Sequence, residues 1–219
     1  MPTILITGAG RGIGLELARQ LAERGDTVIG VCRKPSAALA ATGAEVIDGV
    51  DVSTDAGIAA LTGAMAGRQL DVLINNAGIL TGESLDDLDL DRIRRQFEVN
   101  ALGPLRVTAA LRSCLGAGGK VAIISSRVGS MGDNGSGGMY GYRMSKAAVN
   151  MAGVNLALDL KDDGITVTIL HPGMVATEMT GGRGIPIPES AANLIARIDA
   201  MGPEDAGKFY HAEGQELPW

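Results

Sequence analysis

Short β-branched runs alternate along this chain with longer segments whose apolar residues recur at helical spacing. Thr3–Thr7 is the first such run. In Arg11–Arg24, Ile13, Leu17 and Leu21 share one helical face, and Gly25 provides a stop. Thr27–Val31, Glu45–Asp48 and Asp71–Ile74 read as the second, third and fourth strands. The periodicity of Asp91–Arg112 predicts a long helix broken near Gly103-Pro104. Lys120–Ser125 is the fifth strand. Tyr142–Lys161 follows as a helix with Met144, Ala148, Met151, Val154 and Leu158 on its apolar side. Ile165–Leu170 is a sixth strand, stopped by Pro172-Gly173, and Lys208–His211 is a short seventh. Such alternation predicts an α/β fold: a doubly wound parallel sheet of about seven strands, with right-handed crossovers and helices on both faces. Its ligand site should lie beyond the C-terminal ends of the strands. No repeat or linker divides the chain, so residues 1–219 read as one domain.

Composition narrows the function. The chain is 46% hydrophobic but only 3% aromatic, which suits parallel strands of Ala, Val, Ile and Leu covered on both sides. A net charge of −6 without a basic run argues against nucleic acid and against an anionic membrane surface. The N-terminus lacks the features of a signal peptide, and no apolar run reaches the length of a membrane span. The two cysteines, Cys32 and Cys114, have neither metal-ligand nor CxxC spacing. A cytoplasmic protein with reduced thiols and no metal is expected.

Thr7-Gly8-Ala9-Gly10-Arg11-Gly12-Ile13-Gly14 lies between the first strand and the first helix. Helix N-termini carry unpaired N–H groups and partial positive charge, and Gly8, Gly12 and Gly14 would let a pyrophosphate approach them. NAD sites place an acidic residue at the end of the second strand. Here that end reads Val31-Cys32-Arg33-Lys34. Arg33 suits a 2′-phosphate, and Arg11 within the loop points the same way, so NADP(H) is expected over NAD(H). Asn75-Asn76-Ala77-Gly78 closes the fourth strand and suits packing around adenosine and ribose, though a purely structural turn would read the same. After the sixth strand, Pro172, Gly173, Val175 and Thr177 could bind a carboxamide. His171, at the strand end, reads as a structural donor.

Tyr142 and Lys146 stand four residues apart, on one helical face. A free phenol has a pKa of about 10, and a nearby ammonium lowers it. Tyr142 is therefore the expected proton donor to a carbonyl, with Lys146 tuning it and reaching the nicotinamide ribose. Tyr140 is expected before the helix, as pocket wall or structure. Ser126 is the hydroxyl expected to hold the substrate oxygen. Ser125 is assigned to the backbone, and Ser130 is an outside candidate. Asn100 sits in a helix that disfavours asparagine, either holding a relay water for Lys146 or tying a local kink.

These motifs, in this order, closely resemble those of the short-chain dehydrogenases/reductases, almost end to end. The resemblance implies an Asn100–Ser126–Tyr142–Lys146 tetrad and a nicotinamide cofactor. It also implies Asp51-Val52 beside the adenine, and a homodimer or homotetramer. Tyr140–Lys146 and the ending Gly214–Trp219 resemble the branch of sniffer-type carbonyl reductases and the bacterial C-factor. Two departures stand out. Ser126 and Tyr142 are more widely separated than is usual in the family, with the Gly132–Gly138 loop between them. The substrate lid, at about 178–189, is short. An open pocket for broad carbonyl substrates is expected, with Met131, Met139, Met174 and Met179 as adaptable walls. An NADP(H)-binding signalling or scaffold protein of C-factor type is the alternative.

Overall fold

The β-branched runs become seven parallel strands in the order β3-β2-β1-β4-β5-β6-β7. The computed structural model describes residues 1–219. The strands are β1 (Thr3–Thr7), β2 (Thr27–Val31), β3 (Glu45–Ile47), β4 (Leu70–Asn75), β5 (Leu115–Ile124), β6 (Thr166–His171) and β7 (Phe209–His211). The chain reverses direction across the sheet between β1 and β4, which are hydrogen-bonded neighbours. Such a switch point opens a crevice at the strand ends.

Alternation within each strand splits the core in two. Ile4, Ile6, Val72, Ile74, Ala122 and Leu170 face α1 (Gly12–Arg24) and α7 (Ile187–Asp199). Leu5, Leu73, Val121, Ile123 and Val167 face α3 (Asp55–Ala64), α5 (Gly103–Leu111) and α6 (Tyr140–Asp159). The remaining helices are the short α2 (Ala37–Ala40) and α4 (Leu90–Phe97).

Three expectations fail, each for a local reason. The long helix is not broken at Gly103-Pro104. It runs from α4 through one π-helical turn, Glu98–Leu102, into α5, and Pro104 follows directly on that turn at the start of α5. On α6, Met144, Met151 and Leu158 are 50%, 62% and 68% exposed, so the apolar stripe faces outward. The inner face is instead Gly141, Ser145, Lys146, Val149, Asn150, Gly153, Leu156 and Ala157. Gly153 explains the small residues: a Cβ there would lie 2.6 Å from Ile169 Cγ1, so the helix is pressed onto β6. Tyr140 opens α6 rather than preceding it.

Candidate active site

The groove begins at the glycine loop. Gly8 and Gly12 have φ of +68° and +57°, in the left-handed region that favours glycine. A Cβ on Gly14 would stand 2.4 Å from the Gly8 carbonyl oxygen and 2.5 Å from Asn76 Nδ2. Asn76 fixes this turn from β4: its Nδ2 donates to the carbonyls of Thr7 (3.1 Å) and Gly8 (3.3 Å). Thr7 Oγ1 in turn accepts from the N–H groups of Asn76 and Ala77, both at 3.1 Å. The free N-terminus of α1 therefore faces a groove whose far wall includes Thr177. That residue's Cγ2 is the one atom within 4 Å of a Cβ built on Gly12, at 3.8 Å.

The predicted nucleotide contacts flank this groove unequally. Arg33 is exposed beyond β2. Arg11 is also exposed but is paired with Glu178 on the opposite wall. Asp51 accepts from Ser53 and from Arg95 NH2 (2.8 Å). Burial would raise its pKa, but these partners outweigh it and hold the carboxyl at about 2. Val52 is buried beside it. Gly173 (φ +86°) and Val175 turn the chain after β6, and Val175 pairs with Ile185. The segment returns to the sheet quickly, so residues 187–189 already form the first turn of α7.

The expected reacting groups converge at the ends of β4 and β5 and the start of α6. Tyr142 is half-buried. Burial pushes its hydroxyl up to about 12, and a hydrogen bond with the Ser126 side chain offsets part of that shift. Lys146 is buried; its Nζ donates to the Ile124 carbonyl (2.9 Å) and lies 5.7 Å from the centre of the Tyr142 ring. Burial brings Lys146 down to about 8. The Tyr142 shift is thus upward, where a lowering beside Lys146 is expected, because burial of the phenol is its largest cause. Asn100 lies in the π turn, where its Oδ1 accepts from Ile79 N–H (2.8 Å). Its Nδ2 donates to Ile79 O (2.9 Å) and Ser145 Oγ (3.0 Å). A Cβ on Gly78 would lie 3.4 Å from Asn100 Oδ1 and 3.8 Å from Lys146 Nζ, so both groups border one small space.

The other candidates separate cleanly. Ser125 does not serve the backbone with its hydroxyl, which donates to Asn150 Oδ1 (2.5 Å) on α6. Ser130 Oγ accepts from Asp133 N–H (3.1 Å) and turns the Gly132–Gly138 loop. His171 Nδ1 is buried without a partner, so this nitrogen serves as no structural donor. Burial, with His211, Arg127 and Lys146 nearby, holds His171 down at about 4. It is therefore neutral at physiological pH.

A profile of the short chain dehydrogenase family matches residues 2–185. This chain belongs to the short chain dehydrogenases. It is 47% identical over 226 residues to the 1-hydroxy-2-glutathionyl-2-methyl-3-butene dehydrogenase of Rhodococcus sp. (strain AD45), covering 100% of both chains. It is 46% identical over 155 residues to the C-signal of Myxococcus xanthus, covering 68% of this chain and 93% of that one. The fold is similar to that of an NADPH-bound carbonyl reductase from chicken fatty liver, with a TM-score of 0.90 at 28% identity, covering 100% of this chain and 99% of that one. The chain is an oxidoreductase of this family, resembling its carbonyl reductases.

A dinucleotide suits the dehydrogenase's groove on geometric grounds: a Cβ on Gly12 would enter the space facing Thr177, and the α1 N-terminus has no side-chain cap. Reading the sequence of this dehydrogenase missed Glu83, Gln96 and Ser145, buried polar residues bonded around the start of α6. Glu83 and Gln96 lie outside every motif. Only Ser145, inside the Tyr142–Lys146 run, offered a positional hint.

Proposed function

We propose that this dehydrogenase is an NADPH-dependent carbonyl reductase in which Tyr142 supplies the proton. The observation that carries this reading is Tyr142 itself, one helical turn before Lys146, whose Nζ lies 5.7 Å from its ring, with burial holding the phenol up to about 12. A phenol of that pKa stays protonated at neutral pH, which suits donation to a developing alkoxide. Ser126 holds the carbonyl oxygen beside it. Lys146 is largely charged at neutral pH and offsets the negative charge left on Tyr142 after donation. Asn100 Oδ1 keeps a lone pair toward the space beside Gly78, where a relay water would reach Lys146.

Gly8, Arg11, Gly12, Ile13 and Gly14 would seat the pyrophosphate, with Asp51, Val52, Asn76, Ala77 and Gly78 around adenosine and ribose. Pro172, Gly173, Val175 and Thr177, with Tyr142 and Lys146, would hold the nicotinamide end. The nicotinamide, when bound, supplies the hydride. Arg33 supports NADP over NAD. The Rhodococcus relative is named for a hydroxy compound, the same alcohol–carbonyl pair read from the other side.

The outward stripe of α6, with Leu102 and Leu105 also exposed, supports burial against a second copy in a dimer or tetramer. Two buried free thiols suit the reducing cytoplasm, and no helix is long and apolar enough to cross a membrane.

The test is NADPH oxidation against a panel of carbonyls. Tyr142→Phe should lower kcat by about 10²–10⁴-fold while NADPH binding is kept. Full activity in that variant would sink the mechanism. The likeness to the C-signal favours one second reading, a cofactor-binding signalling protein with incidental turnover. Cofactor binding without turnover of any carbonyl would support it.

A further inference from the structure

Helix α6 begins without a cap of its own. Met139, at the N-cap position, has φ of 47° and makes no side-chain capping bond. The first N–H groups of a helix need acceptors from elsewhere. Here one comes from far along the chain: Glu83 Oε2 accepts from Gly141 N–H at 3.1 Å, and the Glu83 carbonyl accepts from Met139 N–H at 3.0 Å. Glu83 is 4% exposed. Its other oxygen, Oε1, accepts from Thr81 Oγ1 (2.6 Å) and Gln96 Nε2 (3.1 Å). Gln96 on α4 is fully buried, and its Oε1 accepts from Thr81 N–H at 3.1 Å. The cluster is packed directly on the helix backbone: a Cβ on Gly141 would stand 2.2 Å from Gln96 Nε2.

These bonds join others into a closed ring. Asn100, one turn after Gln96, holds both backbone groups of Ile79 and donates to Ser145 on α6. Ser145 Oγ donates to the Tyr142 carbonyl at 2.9 Å. The 79–83 segment is thus gripped twice from the α4–π–α5 helix, and α6 is gripped at Gly141 and again at Ser145. Tyr142 lies between the two grips. A carboxylate buried with no cation beside it costs several kcal/mol unless its oxygens are fully bonded. An apolar side chain would fill the same volume without that cost.

We propose that Glu83, braced by Gln96, is a positioning residue that sets the place of Tyr142 by anchoring the first turn of α6. The proposal rests on Tyr142 as proton donor. Glu83→Gln keeps the volume but cannot accept from all three donors, and Glu83→Ala removes every acceptor. Misplacing a reacting group by about 1 Å costs about a hundredfold in rate. We expect kcat to fall about tenfold in Glu83→Gln and about a hundredfold in Glu83→Ala, with carbonyl KM and NADPH Kd unchanged. Amide hydrogen exchange over residues 139–146 should quicken in both, in protein whose melting curve shows it folded.

Wild-type kcat in folded Glu83→Gln overturns the proposal, as does a parallel loss of NADPH affinity. If Glu83→Ala does not fold, Glu83→Gln decides alone. If the unaltered protein reduces no carbonyl, the reductase reading fails instead. The exchange measurement, which needs no substrate, then decides: unchanged exchange in Glu83→Gln overturns the anchor.

Discussion

The two walls of the groove are built from different materials. The wall on β1 and β4 is mostly backbone: glycines at positive φ, the bare start of α1, and an asparagine whose side chain bonds only carbonyls. The wall on β5 and α6 is side chains: Ser126, Tyr142 and Lys146, held by groups from other parts of the chain. A backbone seat is encoded over a few consecutive residues and is intolerant of one thing, an added Cβ. A side-chain site is encoded by residue type at scattered positions, and its precision depends on whatever grips its helix.

Lys146 tests the side-chain wall hardest. Lys146→Met should cut kcat by about 10²–10³-fold. It should also stabilise the protein. Burial lowers this lysine from 10.5 to about 8, a cost of about 3 kcal/mol for burying its charged form. Losing the bond to Ile124 takes back about 1 kcal/mol, leaving a gain of about 2. The sign follows from proton counting. Below pH about 8 both folded and unfolded lysine are charged, and the full cost is present. Between there and 10.5 the unfolded chain binds more protons, so wild-type stability rises with pH. Urea melts should show the variant ahead at pH 7 and the gap largely closed near the top of that window. A variant less stable at pH 7 would contradict the buried cation.

Gly14→Ala is the corresponding test of the backbone wall. Its Cβ would meet the Gly8 carbonyl oxygen at 2.4 Å. Overpacking of this kind costs about 1–3 kcal/mol. The loop must open to relieve it, so NADPH affinity should fall with stability, as titration and thermal melts would reveal. Intact NADPH affinity would mean the seat is not the loop.

That contrast also explains what could be read from the sequence. The parallel sheet of seven strands follows from strand–helix alternation, because each run is fixed by its own residues. The glycine loop was legible because its conformational demand is local. Asn100 was legible only as an anomaly: asparagine in a helix signalled a kink, and the kink is a π turn that frees its amide to hold Ile79 and Ser145. The face of α6 was misread because periodicity finds an apolar stripe without saying what covers it. The inner face is small and polar, which brings the helix close to β6 and leaves the methionines outside. Glu83 was invisible, since its partner Gly141 lies 58 residues away and no local pattern marks a cap supplied across the fold.

The smallest expected effects separate the two walls most sharply. Arg33→Ala should weaken NADPH by about 10- to 100-fold, the worth of a charge-assisted bond to phosphate, and leave NADH and carbonyl KM alone. Met131→Ala should do the reverse. Met131, an expected wall of the carbonyl pocket, is 78% exposed. Covering part of a methionine is worth about 1 kcal/mol, so KM for a bulky aromatic ketone should rise about fivefold, with NADPH Kd unchanged. Crossed effects, with Arg33 altering the carbonyl or Met131 the dinucleotide, would mean the walls are not independent. The Arg11–Glu178 pair, which joins the glycine loop to the segment after Thr177, would then be the contact coupling them.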